Sequence, residues 1–296
     1  MTQAPVRRPH RPTLDPRLPL LVRPSGLVQI GWDPDTALVL TPPAGVDADT
    51  LVSVLELLDG RTPRPTIVWR AVEHGIAAAD MSTLLSELDE AGLLRPEPAA
   101  TDPDRSPLIR VHGRGPLADA VSAGLARASV RVTRSTHVTA DTDVTRWNCL
   151  CVVLTDDLVA DPRLVDALLA AGVPHLQVRL RDGRGIVGPL VLPGRTSCLR
   201  CADLTRSAVD EEWPHVAAQL LGRVGYAGPA AVLATAAVAL GQLEKVLSGV
   251  AHPAPATLNA TLELDLDEHR LAVRPWPRDP RCTCSRFLDE PENFPS

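Results

Sequence analysis

The chain has 296 residues, a formal net charge of −6 and a mean hydropathy of +0.03. That length fits one large domain or two ordinary ones. With 45% hydrophobic and 22% charged residues, the composition is not that of a disordered chain. The acidic balance argues against nucleic acid as a partner, because such partners require a basic face. The longest apolar run, residues 229–240, is too short for a membrane span, so no membrane is expected.

The beginning of the chain and the cysteine content indicate where the protein works. Residues 1–17 are rich in proline and arginine and lack the apolar core of a signal peptide, so we expect a disordered tail and a cytoplasmic protein. Six cysteines are too few for a disulfide scaffold. In a reducing location, paired cysteines are better candidates for metal ligands than for disulfides.

The front part, residues 18–95, combines short strands with short helices. Residues 20–30 alternate weakly around a Pro-Ser-Gly turn, which predicts a hairpin, and residues 37–40 predict a further strand. Helical periodicity then predicts three helices, at about residues 51–58, 66–74 and 79–91. Strands followed by three short helices are typical of a winged helix. Residues 96–107, rich in proline and acidic residues, predict a linker.

The second part, residues 108–288, alternates between strand and helix. Strands are predicted at residues 108–111, 130–133, 148–154 and 175–178, and helices at residues 116–127 and 164–171. This alternation predicts an α/β domain with a Rossmann-like, mostly parallel sheet and helices on both faces. A long helix is predicted to begin at Gly228-Pro229, and residues 258–266 and 269–273 predict a final antiparallel hairpin. We expect residues 289–296 to be a tail.

Four cysteines form two close pairs that are far apart in the sequence. Cys198 and Cys201 have the C-x2-C spacing, and Cys282 and Cys284 have the C-x-C spacing. Two such pairs can supply four thiolates to a tetrahedral zinc ion. A complete shell of four sulfurs leaves no position for water, so this zinc would be structural. The alternative is a set of unrelated thiols.

A glycine turn joins the first strand of the second part to its helix. Gly113 and Gly115 belong to a degenerate form of the pattern that binds dinucleotides. Pro116 removes a backbone donor where a phosphate would lie, and no acidic residue ends the next strand to hold a ribose. The turn therefore predicts a degenerate nucleotide site, with simple helix–strand packing as the alternative. Asp156 follows the strand at residues 148–154 and could bind Mg²⁺, although the pattern favours ATP and Mg²⁺ only weakly.

The second part resembles the ThiF/MoeB group of ubiquitin-activating-type adenylyltransferases. The matching pieces are the turn at Gly113 and Gly115, residues 154–157, residues 188–201, the long helix after Pro229, and the pair Cys282 and Cys284. The resemblance covers residues 108–286 and implies a ThiF-type fold with zinc and a homodimer. The crossover lysine of that group is missing, since the only lysine, Lys245, lies near the end of the long helix. The resemblance therefore implies a pseudoenzyme.

The front part is similar to the winged-helix peptide-recognition domain that precedes ThiF-like domains in azole-forming peptide biosynthesis. The matching stretches are residues 37–43, 55–60 and 84–94. The resemblance implies a bacteriocin cyclodehydratase partner that binds the leader of a ribosomally made precursor peptide and presents it to a YcaO-type enzyme. An extended leader could add to an edge strand at residues 36–41, with the helix at residues 81–94 as the other wall. The residues expected near the leader are Ala37, Val39, Leu84, Glu87 and Leu88.

Two other functions stay open at this point. An ATP-dependent adenylyltransferase would activate the C-terminal carboxylate of a small protein or peptide, with Asp156 on Mg²⁺ and arginines in place of the missing lysine. A DNA-binding regulator would use the winged helix. The acidic third helix, which has no base before Arg95, would repel phosphate and disfavours that function.

Overall fold

The computed structural model describes residues 11–95, 107–139, 141–248 and 254–284. The chain divides into two compact units, residues 1–101 and 102–296. The predicted linker at residues 96–107 lies outside the described residues except for Pro107, and the predicted tail at residues 289–296 lies outside them entirely.

The front unit contains short strands and three helices. They are β1 (Thr13–Leu14), β2 (Leu20–Val22), β3 (Val28–Ile30), β4 (Leu38–Leu40), α1 (Ala48–Leu55), α2 (Arg64–Glu73), α3 (Ala78–Glu90) and β5 (Leu94–Arg95). Strands β2, β3 and β4 form an antiparallel sheet in that order, and β1 pairs with β5. The hairpin, the third strand and the three helices agree with the sequence pattern. The assignment of this unit as a winged helix stays a prediction.

Strand β1 lies inside the segment predicted as a disordered tail, residues 1–17. It is held by its pairing with β5 and by Asp15, whose carboxylate accepts hydrogen bonds from Arg17 and lies 3.6 Å from Nε of Arg95. The hydrogen bond from Arg17 is the main reason that the pKa of Asp15 falls to about 2. The tail prediction is corrected for residues 13–17, because pairing with the far end of the unit leaves no trace in local composition.

The second unit is built around one seven-stranded sheet. Its elements are β6 (Leu108–His112), α4 (Pro116–Arg127), β7 (Arg131–Ser135), a 3-10 turn (Val144–Trp147), β8 (Cys151–Thr155), α5 (Pro162–Ala170), β9 (His175–Arg181), β10 (Arg184–Val191), α6 (Leu199–Val209), α7 (Trp213–Leu220), α8 (Pro229–Leu247), β11 (Ala260–Asp265) and β12 (Arg270–Pro275). The strand order is β12-β11-β10-β9-β8-β6-β7. Strands β7, β6, β8 and β9 are parallel, and β9 to β12 are antiparallel neighbours. The unit therefore has a mixed α/β fold, and its sheet is parallel from β7 to β9, in agreement with the predicted Rossmann-like arrangement.

Helix α8 covers one face of this sheet. It packs against α4 and against β9, β10 and β11. Its buried residues recur at helical spacing and include Ala231, Thr235 and Ala239. Close approach depends on glycine, since a Cβ on Gly124 of α4 would lie 2.2 Å from a methyl group of Leu240. Among the described residues α8 is the one helix long and apolar enough to cross a membrane. This is weak evidence for a membrane span, because a helix that packs on a sheet meets the same criteria.

Candidate functional site

The four paired cysteines come together in one buried cluster. The Sγ atoms of Cys198, Cys201, Cys282 and Cys284 all lie within 4.8 Å of one another, and each residue is at most 2% exposed. The first pair lies at the beginning of α6, with Cys198 as its N-cap, and the second pair lies just beyond β12. Helix α6 and the segment after β12 therefore meet at this cluster.

The spacing of the sulfurs fits a metal ion. The Sγ atom of Cys198 lies 3.9 Å from that of Cys201 and 3.6 Å from that of Cys282. The Sγ atoms of Cys201 and Cys284 are 3.5 Å apart. A tetrahedron with metal–sulfur distances of about 2.3 Å has edges of about 3.8 Å, whereas a disulfide would bring two sulfurs to about 2.05 Å. Burial raises the pKa of Cys284 to about 12, whereas the hydrogen bond with Cys198 lowers the pKa of Cys201 to about 4, so the Cys284 thiol becomes a thiolate only when a cation displaces its proton. The donor set is compatible with structural zinc.

The predicted glycine turn is shaped around the end of β8. Gly113 follows β6 with a φ of 153°, and a Cβ there would lie 2.1 Å from the hydroxyl of Thr155 and 2.5 Å from its carbonyl oxygen. At Gly115 a Cβ would lie 2.5 Å from Oδ1 of Asp156. The turn therefore brings together the three residues predicted as a degenerate nucleotide site. The absence of a side chain at Gly113 and Gly115 leaves room for Thr155 and Asp156 of the same chain.

Asp156 occupies the N-terminus of α4. Its Oδ1 accepts a hydrogen bond from the N–H of Leu117 and its Oδ2 accepts one from the N–H of Ala118, both at 3.0 Å. A helix N-terminus attracts anions, and here the anion is a side chain of the same chain. Asp156 is 1% exposed. A phosphate on this helix would have to displace the carboxylate from those two N–H groups.

A segment after α7, residues 221–225, lies over the end of β8. The N–H of Leu158 donates to the carbonyl of Arg223 at 2.9 Å, and the N–H of Gly225 donates to the carbonyl of Asp156 at 3.0 Å. A Cβ on Gly225 would lie 2.0 Å from the carbonyl oxygen of Leu180, so the backbone can approach the sheet only with glycine here. This covering segment therefore bonds to the backbone on both sides of Asp157.

A cleft of about 670 Å³ opens beside the covering segment, at the carboxyl ends of β6, β7 and β8. It is lined by His112, Thr136, His137, Val138, Asp157, Val159, Asp161, Pro162, Arg163, Leu221 and Gly222. The strand order reverses at β6, because β7 lies on one side of it and β8 on the other. Such switch points are where α/β sheets bind ligands.

Burial shifts the pKa values of two residues of the cleft, while the hydrogen-bonded ion pair of Asp161 and Arg163 lowers the pKa of the first and raises that of the second. Burial lowers the pKa of His112, helped by the positive charge of Arg110, so this imidazole is neutral at pH 7. Its Nδ1 lies 2.9 Å from the hydroxyl of Ser135. Burial, helped by the negative charge of Asp156, raises the pKa of Asp157. His112 was not among the predicted site residues, although its position as the last residue of β6 could have indicated it.

The predicted peptide edge lies on β4, which is an edge strand among the described residues. Between β2 and β3, Gly31 donates to Pro19 and Arg23 donates to Leu27, so Gln29 directs its backbone groups at β2. The neighbours of Gln29 in β3 then bond to β4. This alternation turns the N–H and C=O of Val39 toward the open edge, and its side chain is 38% exposed.

The other four residues predicted near a leader have different surroundings. Ala37 is half-buried beside β4, Leu84 is half-buried on α3, and Glu87 is exposed on α3. Leu88 is 0% exposed, since it points into the core of the unit with Met81 and Leu85. The expectation that Leu88 contacts a peptide is therefore corrected. Helix α3 packs against α2 and β5, so a groove between α3 and β4 stays a prediction.

No protein-family model matches the sequence, and no curated protein matches it. Several solved structures are similar. The heterocyclase TruD aligns with 94% of this chain at 16% identity and a TM-score of 0.66. A heterocyclase in complex with substrate and cofactor aligns with 94% at 15% identity and a TM-score of 0.63. E. coli MccB with AMPCPP and MccA aligns with 92% at 13% identity and a TM-score of 0.58.

The coverage of these structures differs. This chain spans 43% of TruD and 40% of the second heterocyclase, whereas the alignment includes 99% of MccB. At such identities the likeness shows a common fold. It does not assign an activity to this chain.

Proposed function

We propose that this protein is a non-catalytic ThiF-like partner that binds the leader of a ribosomally made precursor peptide and presents it to a YcaO-type cyclodehydratase. The fold likeness supports a role in peptide maturation, since TruD is a heterocyclase and MccB is a microcin C7 biosynthetic enzyme. In this proposal the protein is a cytoplasmic homodimer with structural zinc, and its front unit is a winged helix.

One observation carries the non-catalytic part of the proposal. The carboxylate of Asp156 already accepts two N–H groups at the N-terminus of α4, and Asp156 is 1% exposed. In nucleotide-binding α/β proteins those donors face a phosphate. A chain that satisfies them internally has little to gain from ATP at this turn.

The open edge of β4 supports the peptide-binding part. Val39 directs one N–H and one C=O away from the sheet, and an extended peptide can pair with such groups as an additional strand. Ala37 lies on the same face as Val39, two residues away. Side chains of a leader would therefore meet Ala37 and Val39, with Leu84 and Glu87 as further candidates on α3.

The second candidate function is an adenylyltransferase that activates the C-terminal carboxylate of a small protein or peptide. The cleft at the switch point favours it, because a volume of about 670 Å³ accommodates a nucleotide-sized ligand. MccB has been solved with ATP. In this function Asp156 would release α4 and bind Mg²⁺, which the residues of the site permit only after a rearrangement.

Calorimetric titration of zinc-loaded protein with Mg-ATP separates the two functions. The proposal predicts no heat of binding up to millimolar ATP, for the natural chain and for Asp156→Ala alike. Binding to the natural chain that is lost in Asp156→Ala would support the adenylyltransferase and overturn the non-catalytic proposal. Pyrophosphate exchange with candidate peptides would then follow.

Peptide binding is tested with a panel of synthetic leader peptides from azole-forming precursors, by fluorescence anisotropy. Val39→Pro removes the outward N–H of β4 and should weaken binding roughly tenfold. Val22→Pro is a matched control, because Val22 lies on the other edge of the same sheet and also directs its N–H outward. Equal affinity of both variants, or stronger loss in Val22→Pro, would place the peptide elsewhere.

A further inference from the structure

Strand β12 is an open edge of the seven-stranded sheet among the described residues. The N–H of Trp276 donates to the carbonyl of Asn259 at 2.7 Å, and Pro275 has no N–H to donate to its partner Ala260. The hydrogen-bonded pairs with β11 are therefore those of Arg270, Ala272 and Arg274. The N–H and C=O groups of Leu271 and Val273 consequently point away from the sheet.

One face of β12 extends the apolar rows of the sheet beyond the strands that α8 covers. The register aligns Val178, Val187, Leu262 and Val273 in one row across β9 to β12. The first three are 0%, 0% and 5% exposed beneath α8, whereas Val273 is 61% exposed and its neighbour Leu271 is 53% exposed. Helix α8 packs on β9, β10 and β11, which explains why the cover ends there. The last strand thus presents apolar side chains without a partner.

The opposite face of β12 carries two arginines, each within 3.8 Å of a glutamate of the same chain. Arg270 and Arg274 point to this face, and 57% and 54% of their side chains are exposed. Arg270 lies 2.8 Å from Glu268. Arg274 lies 3.8 Å from Glu263, and its guanidinium is 4.8 Å from the centre of the Trp276 ring. An added acidic residue would therefore share arginines that stay largely exposed. An additional strand would bring alternate side chains beside these two arginines and beside the apolar pair. Acidic residues suit the positions beside the two arginines, and β-branched residues suit the positions beside Leu271 and Val273.

We propose that β12 is a docking edge for an extended segment of a partner protein in which acidic and apolar residues alternate. The segment adds as an eighth strand, bonds to the backbone of Leu271 and Val273, places its apolar side chains beside theirs, and its acidic side chains beside Arg270 and Arg274. A second copy of β12 suits the edge less well, because a two-fold axis would bring the same arginines together on one face. This site lies on the second unit and is separate from the peptide edge on β4.

The probe is a fluorescein-labelled nine-residue peptide, Ser-Glu-Val-Glu-Val-Glu-Val-Glu-Ser, added to the full chain. Its anisotropy should rise on binding, and the same peptide with lysine for glutamate should not bind. Val273→Pro removes an outward N–H without touching the bonds to β11, and should weaken binding roughly tenfold. Val273→Thr, which keeps the N–H and the branched shape, should weaken it less.

Amide hydrogen exchange gives a direct readout of strand addition. The amides of Leu271 and Val273 should exchange more slowly with the glutamate peptide present, while that of Ala272, already bonded to β11, should change little. Binding that is insensitive to Val273→Pro, or that leaves both amides unprotected, would overturn the proposal. Protection that grows with protein concentration in the absence of peptide, with a dimer in sedimentation, would identify a second copy as the occupant and also overturn it.

Discussion

Asp156 and Gly115 are fitted to each other, since a Cβ on Gly115 would lie 2.5 Å from Oδ1 of Asp156. The φ of Gly115 is 164°, an extended value that any residue adopts, so the need for glycine here is one of space. Asp156 itself has a φ of 70°, which glycine, asparagine and aspartate tolerate best. The turn and the carboxylate therefore form one structural unit.

Gly115→Ala should displace the carboxylate of Asp156 and lower the free energy of unfolding by about 1–3 kcal/mol, because two helix N–H groups lose their acceptor. Calorimetric or chemical unfolding of the full chain measures this loss. In an Asp156→Gly background the collision is absent, so the added cost of Gly115→Ala should be small. Simple addition of the two single costs would contradict the proposed contact.

Zinc should be present at one equivalent per chain, measured by elemental analysis of protein purified without chelator. Cys282→Ser should remove most of it and lower the melting temperature, because the second cysteine pair then supplies only one thiolate. Cys149→Ser is the matched control, since Cys149 is half-buried and lies outside the cluster. Zinc that persists in Cys282→Ser and disappears in Cys149→Ser would refute the site.

His175 should make the second unit sensitive to mild acid. It is 0% exposed, its Nδ1 donates to the carbonyl of Val173, and burial lowers its pKa to about 4. The unfolded chain takes up this proton near pH 6.5 and the folded chain only near pH 4. Stability is therefore lost as pH falls from 6.5 to 4, by about 3 kcal/mol in full.

The check is unfolding between pH 7 and pH 4 for the natural chain and for His175→Gln. The variant should lose this part of the pH dependence, even if its overall stability is lower. Identical slopes for the two proteins would show that other groups govern the acid response. His112 is less buried and should contribute a smaller slope of the same sign.

Leu88 and Leu84 should respond differently to truncation, although both were predicted near the peptide. Leu88→Ala should cost about 2–5 kcal/mol, because it empties a fully buried position among Met81 and Leu85. Leu84→Ala should cost less, since Leu84 is half-buried. Thermal unfolding of the two variants measures the difference, and equal costs would contradict the burial of Leu88.

Local patterns in the sequence predicted most helices and the parallel strands, because periodicity and glycine stops are local signals. Strand β10 was missed, since Gly185, Gly188 and Pro189 interrupt its apolar pattern and its pairing with β9 shifts register between Val187 and Leu190. Helix α7 was missed for another reason: none of its residues is buried, so it shows no apolar stripe.

The candidate sites also differ in how far local sequence predicts them. The cysteine cluster was predictable, because each pair is local and the chemistry of four thiolates is narrow. The role of Asp156 at the start of α4 was not, since it joins residues 38 and 39 positions apart through the sheet. The open edge of β12 follows from where α8 ends its cover, a packing relation that no short stretch of sequence contains.

The position of the cysteine pairs also sets an order of events during translation. Cys282 follows Cys198 by 84 positions, and Cys284 follows Cys201 by 83. The ribosome therefore makes one half-site early and completes the other only after β12 has been synthesised. A nascent chain can bring the four cysteines together only when the whole sheet is available, so a cation held by all four would be found only in chains made through that last strand.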